Sequence, residues 1–353
     1  MRAIEYSALL LAVIVLVGCG GGNAYDGAAA GPGSAASAPG APPSTTAGGG
    51  ISTVSSGVPN QRFMSISVEK YALNWSIDGD TTRVNIRVAD SAGNPVPAGT
   101  TVQFSTSGGQ IQQSCSLTGV SNGSSTISSC SVDFETQDYR PVGGLVAIAA
   151  WLVGEEAYRD LNANGAYDVG EPFVDSGRLF RDDNADGLYT PTVDELNVGA
   201  TLNGAPGIGT VPCVVDPAVP LNAYAVPLSV LNSCNGTWGA SLVRASVYLP
   251  VSDPRYLNAA IVPPGDPFGN SGKLQVWTDF GTNPVAAPSG TTVTIKSKPV
   301  GCDVAISPSA VPISAVGPTF HSLTRVGATC AGGTVGIEVT FGTSVLLASA
   351  ILP

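Results

Sequence analysis

The sequence predicts an all-β protein built around two copies of one sheet unit, and three observations carry that expectation. Charged residues make up only 12% of the chain, and with 44 Gly and 27 Pro few stretches longer than ten residues lack Gly, Pro or a β-branched cluster. Long helices have little room in such a sequence. Thr81–Val88 alternates, with Val84, Ile86 and Val88 on one face and Arg83, Asn85 and Arg87 on the other. That period of two marks a half-buried strand. Finally, a strand–turn–strand phrase occurs twice in the chain.

In chain order, the first element is an export signal. Arg2 supplies a positive charge, partly offset by Glu5, ahead of an uninterrupted apolar run from Ala8 to Val17. The run is shorter than the roughly 20 residues that span a hydrocarbon core, and it suits the apolar centre of a cleaved signal. Its end, Leu16-Val17-Gly18-Cys19, resembles the lipobox of bacterial lipoproteins. The resemblance implies a signal peptide at 1–18, lipid on Cys19 as the mature N-terminus, and the outer membrane as destination, since Gly20 rather than Asp follows. Two acyl chains anchor stably where one is marginal. Residues 19–60 then read as a linker. From Gly20 to about Val58 the chain is Gly, Ala, Ser, Pro and Thr with Asp26 the only charge. Such a segment buries too little apolar surface to offset its ordering entropy.

The next element is the first β unit. The strand Thr81–Val88 runs into Asp90-Ser-Ala-Gly93-Asn94-Pro95, a turn by composition, and resumes as Thr101-Val102-Gln103-Phe104. Asp279-Phe-Gly-Thr-Asn283-Pro284-Val285 through Gly290-Thr291-Thr292-Val293 repeats the phrase with two extra residues. The segment Ala89 to Phe104 resembles the group 1 bacterial immunoglobulin-like domains found in invasin and intimin adhesins. That resemblance implies tandem immunoglobulin-like β-sandwich domains at 61–153 and 253–353, used as rigid spacers or adhesive modules and bearing no catalytic residues.

Between them, residues 154–252 read as a middle β region that carries acidic loops. Glu155–Glu195 holds eleven carboxylates against Arg159, Arg178 and Arg181, a net of −8 in a chain of net −11. Repulsion this dense calls for counter-ions. Asp160, Asn162, Asn164, the Ala166 carbonyl, Asp168 and Glu171 fall at positions 1, 3, 5, 7, 9 and 12 of a calcium loop, with Gly165 at position 6. A second copy offers Asp182, Asn184, Asp186, the Leu188 carbonyl and Thr190, with Gly187 at position 6. Its twelfth residue is Val193, so Asp194 or Glu195 must close it through a shifted loop. Tyr167 and Tyr189 hold position 8, where paired loops bridge, so the two are expected to be neighbours. Pro172 directly after Glu171 disfavours a flanking helix. The expected cofactor is structural Ca²⁺, held with a Kd on the order of 10⁻⁴–10⁻³ M. Trp238 to Leu249 reads as a buried strand completing this region.

Cys115, Cys130, Cys213, Cys234, Cys302 and Cys330 fall into three local couples, read as disulfides 115–130, 213–234 and 302–330 of an oxidising compartment. With no Cys-x-x-Cys and His321 the only histidine, zinc is not indicated. His321 lacks a Gly-x-Ser-x-Gly elbow, so it reads as a packing or surface residue. Trp75, Trp151, Trp238 and Trp277 read as sandwich core rather than sugar platforms. The acidic balance disfavours nucleic acid as a partner. The sequence therefore points to a non-enzymatic, membrane-anchored surface lipoprotein with a protein or glycan partner, used in adhesion or in envelope or filament assembly. The alternative is a carbohydrate-binding or hydrolytic surface lipoprotein.

Overall fold

The structure, a computed structural model, describes residues 56–122, 125–196, 206–221, 226–262, 272–281, 283–326 and 332–351. All belong to one compact unit covering residues 51–353. The expected signal peptide, Cys19, most of the expected linker and Cys330 lie outside the described residues. Among the described residues there is no α-helix, only single 3-10 turns at Gln61–Phe63 and Pro254–Tyr256, and the chain is all-β as expected.

The first half runs β1 (Ser65–Val68), β2 (Leu73–Asn74), β3 (Thr81–Val88), β4 (Thr101–Thr106), β5 (Gln110–Ile111), β6 (Ser114–Ser116), β7 (Thr118–Asn122), β8 (Ser125–Glu135) and β9 (Leu145–Glu155). Beyond it come β10 (Phe180–Arg181), β11 (Glu195–Leu196), β12 (Ile208–Val211) and the long β13 (Ala240–Ser252). One sheet has the order β1-β3-β8-β5, with β7 also on β8; the other is β2-β13-β9-β4-β6. Alternation explains the sandwich. Val84, Ile86 and Val88 of β3, Val102 and Phe104 of β4, and Val146, Ile148, Ala150 and Leu152 of β9 share one core around the fully buried Trp75. The Cys115–Cys130 disulfide ties β6 of one sheet to β8 of the other.

β13 does not complete a separate middle region. It pairs antiparallel with β9 from Ala240↔Glu155 to Pro250↔Leu145, so the first sandwich closes only with a strand from far downstream. The body also starts before residue 61: Asn60 is buried, bridges Glu155, and Pro59 accepts a hydrogen bond from the Glu155 amide. Residues 156–239 are thus an excursion between two neighbouring strands. The described residues of this excursion fold back over the outer face of the β2-β13-β9-β4-β6 sheet, which explains why β9 reads as apolar on both faces. Trp151 and Leu242, pointing outward, meet Leu179 of the excursion. Arg244, also outward, is buried and gives its guanidinium protons to the carbonyls of Leu242 (3.0 Å), Leu228 (3.1 Å) and Gly177 (2.8 Å). Its backbone is gripped by Gln61, which accepts from the Arg244 amide at 2.9 Å and donates to its carbonyl at 2.8 Å.

The second sandwich contains β14 (Leu257–Ile261), β15 (Lys273–Thr278), β16 (Thr292–Ser297), β17 (Asp303–Ser307), β18 (Thr319–Val326), β19 (Thr334–Phe341) and β20 (Ser344–Ile351). Its sheets are β14-β15-β18-β17 and β16-β19-β20, packed about Leu274, Val276, Val293, Val335, Ile337 and Val339. The repeated phrase plays the same part in both sandwiches, carrying the chain from one sheet to the other. Thr100 and Thr291 each donate amide and hydroxyl to the carbonyl three residues back, of Pro97 and Pro288. The intervening Gly99 and Gly290 sit at φ +89° and +88°, a backbone region that disfavours any side chain.

The tryptophans divide. Trp75 is sandwich core, whereas Trp151 packs against the excursion, Trp238 stacks on Tyr167 within it, and Trp277 is half-buried with its indole proton on Asp279. Cys302 is disulfide-bonded, its expected partner Cys330 lying outside the described residues.

Candidate functional site

Each acidic loop is the tip of its own small hairpin. The first is closed by the Tyr158↔Phe173 bridge, with Val174 donating to the Ala157 carbonyl and Arg159 to that of Pro172. The second is closed by β10 and β11, which pair Phe180↔Leu196 and Arg181↔Glu195. No bridge joins Tyr167 to Tyr189 among the described residues, so the expected pairing through position 8 does not occur. Each tyrosine turns instead to an aromatic of its own hairpin. Tyr167 meets Tyr158 edge-on at 5.8 Å and stacks on Trp238 at 4.6 Å, while Tyr189 meets Phe180 at 5.5 Å.

The two tips share one hydrogen-bond circuit. In the first, Asp160 accepts from the Ala163 (2.6 Å), Asn164 (3.3 Å) and Gly165 (2.7 Å) amides. In the second, Asp182 accepts from the Asp186 (3.2 Å) and Gly187 (2.8 Å) amides, at the corresponding positions. Position 3 follows suit, Asn162 accepting from Asn164 and Asn184 from Asp186. So does position 5, Asn164 accepting from Ala166 and Asp186 from Leu188. The backbones match as well: Ala163 and Ala185 lie at φ +59° and +60°, Gly165 and Gly187 at +79° and +77°. For alanine that region is strained, and the carboxylate contacts hold it there.

The acids at the end of each loop take matching positions. Glu171 accepts from the Leu161 (2.7 Å) and Asp168 (3.0 Å) amides. In the second loop Asp194, not Glu195, does the same work, accepting from Asp183 (2.8 Å) and Thr190 (2.6 Å). One added backbone residue, absorbed with Thr192 at φ +77°, brings the shorter aspartate to where the longer glutamate reaches. Glu195 faces the other way and pairs with Arg181 at 2.6 Å. Glu171, Asp182 and Asp194 are buried at the hairpin bases, whereas Asn162, Asn164, Asp168, Asn184 and Asp186 stand exposed at the tips.

Two contacts pin the second hairpin to the sheet, one from Arg181 and one to Asp182. Arg181 forks onto Asp183 at 2.6 and 2.8 Å and donates to the Ser105 hydroxyl of β4 at 2.6 Å. Burial works against its charge, but Asp183 and Glu195 more than offset it and hold the guanidinium above its ordinary pKa. Tyr248 of β13 donates its hydroxyl to Asp182 at 2.9 Å, and burial together with the loop carboxylates keeps that phenol protonated. The first hairpin is tied differently: its Arg159 is exposed, and Tyr158 at its base hydrogen-bonds to Ser91 in the turn after β3.

The excursion is fastened at its feet by a buried acid. Glu156, at its entry, accepts from the Ser176 amide at 2.7 Å and, at its exit, from the Gly239 amide at 3.2 Å. Burial pushes its pKa up to about 8, with the Asp175 charge adding to the rise and Arg244 opposing it. The Cys213–Cys234 disulfide closes the loop between.

The donors fit a hard cation in kind: each loop offers three carboxylates, the second adding the Thr190 hydroxyl, with amide and carbonyl oxygens between. Among the described residues no three acidic, histidine or cysteine side chains already gather tightly enough to hold a metal ion. The duplication runs further than the twelve-position pattern. Tyr158-Arg159-Asp160 and Phe180-Arg181-Asp182 open the two hairpins alike, a signal visible in the sequence but outside the loop template.

His321 is buried in the second sandwich. Its Nδ1 lies 2.6 Å from the Pro308 carbonyl, to which it must donate, and Nε2 lies 3.0 Å from the Thr319 hydroxyl. Burial lowers its pKa, with the Pro308 carbonyl opposing the shift. Against known protein families, curated proteins and solved structures, the chain finds no match.

Proposed function

We propose that the chain is a non-enzymatic envelope lipoprotein, exported and anchored through Cys19, that displays two immunoglobulin-like sandwiches stiffened by calcium in the excursion. Its role on this reading is adhesion or assembly of an envelope structure. One observation carries the proposal: two hairpins in succession repeat the same carboxylate circuit, backbone strain and closing acid, though their sequences and lengths differ. A solvated loop without a ligand has no reason to keep such a pattern twice.

Asp160, Asn162, Asn164, the Ala166 carbonyl, Asp168 and Glu171 would hold one ion. Asp182, Asn184, Asp186, the Leu188 carbonyl, Thr190 and Asp194 would hold another, with Glu195 reserved for Arg181. Bound calcium neutralises the charge that otherwise pushes each tip open. The chain's own part is to bring the carboxylates inward on strained alanine backbone with glycine turns beside it, and to seat the second hairpin on β4 and β13.

A hydrolytic role for His321 has no support in its surroundings, since both ring nitrogens are engaged by a carbonyl and a threonine hydroxyl. Calorimetry of the full chain in detergent tests the proposal. Calcium is expected to bind and to raise the melting temperature, with EDTA reversing the shift. Asp160→Ala combined with Asp182→Ala is expected to abolish both. An unshifted melt and no heat of binding would remove calcium from the proposal.

A further inference from the structure

A cleft of about 430 Å³ opens beside the second hairpin. It lies between that hairpin and the turn before β9, and Ser107 and Asn283 complete its wall. The size falls in the ordinary range for small-ligand pockets. Three features of its lining point to one kind of occupant.

The first is an exposed aromatic on a fixed support. Tyr139 is 64% exposed and Val142 74% exposed, yet the turn bearing them is held firmly. The Tyr139 carbonyl accepts from the Gly109 amide at 3.1 Å. Arg140 donates to the Trp75 carbonyl at 2.8 Å and pairs with Asp78 at 2.6 Å. A large ring held out to solvent on a rigid turn offers contact area at little entropic cost.

The second is charge. Asp183 is the only charged lining residue among those described, and the Arg181 fork pairs with it. The remaining polar lining is neutral: the hydroxyls of Ser107 and Thr192 and the amide of Asn283. The third is mixture. Apolar surface from Tyr139, Val142 and Val193 alternates with those polar groups, so the occupant must present an apolar face and several hydroxyls together.

We infer that this cleft binds a neutral glycan, with a pyranose C–H face on Tyr139 and hydroxyls on the Asn283 amide and Thr192 hydroxyl. The inference rests on the proposed function for one point only, that calcium orders the hairpin forming one wall.

The full chain, in a polyoxyethylene detergent that carries no sugar, is applied to an array of neutral oligosaccharides and their sialylated and sulfated counterparts. Saturable binding to neutral glycans is expected. Tyr139→Ala and Asn283→Ala are each expected to weaken it about tenfold without moving the melting temperature, since both side chains are exposed. Binding confined to anionic glycans or to a peptide array, no binding, or equal binding by Tyr139→Ala overturns the inference. The two readings fail separately. Calcium calorimetry without glycan binding removes the cleft, and Tyr139-dependent glycan binding without calcium uptake removes the metal.

Discussion

The hydroxyl of Tyr248 reaches Asp182 at 2.9 Å, so a strand of the first sandwich touches the leading carboxylate of the second acidic hairpin. Sheet and loop are therefore one mechanical unit there. Tyr248→Phe is expected to destabilise the protein by about 1.5 kcal/mol, the low end for a hydrogen bond to a charged group. Urea unfolding measures it, and an unchanged midpoint would show the contact to be idle.

The closing acids make a sharper test. With calcium present, Asp194→Ala is expected to reduce the calorimetric stoichiometry from two ions to one. Glu195→Ala should leave it at two, because that carboxylate belongs to Arg181. The reverse result would mean that the hairpin shifts by one residue on binding.

Glu156 predicts a pH dependence. Its pKa is about 8 in the fold against 4.5 for the free side chain. Its contribution is fully present below about pH 4.5 and is lost as pH rises through about 8. The slope between is at most about 1.4 kcal/mol per pH unit. Asp175 shifts in the same direction through its own burial, and the facing Arg244 stays charged with a pKa of about 10. Unfolding measured from pH 5 to 8 should lose most of this slope in Glu156→Gln, which keeps the shape and cannot ionise.

Replacing Cys213 and Cys234 together by alanine is expected to cost about 3 kcal/mol, the loop entropy of a closure spanning 21 positions. Hydrogen exchange should place the loss in the excursion, with β3 and β8 still protected. Loss of protection throughout would show that the excursion and the sandwich fold as one step.

Much of this was legible in the sequence where the signal is local. The alternation of β3, the Pro97-to-Thr100 turn with its twin at Pro288-to-Thr291, and the twelve-position spacing each fit in a short window. The misplacement of β13 has the opposite cause. Nothing in Ala240–Ser252 says that its partner is Leu145–Glu155 rather than a nearer strand, because pairing across 156–239 leaves no periodic trace. The apolar face of β9 that the excursion covers looks, in one dimension, like any buried strand. The choice of Asp194 over Glu195 also lay beyond reach, since it depends on where Arg181 sits in three dimensions.

The return of β13 to β9 has a temporal consequence. A chain emerging N-terminus first exposes the edge of β9 until residues 156–239 and β13 have followed. Through that interval the half-built sandwich offers an unpaired, apolar strand to any neighbour. Correct pairing then depends on leaving that edge uncaptured until residue 252 is free, which makes the order of emergence part of what this sequence has to satisfy.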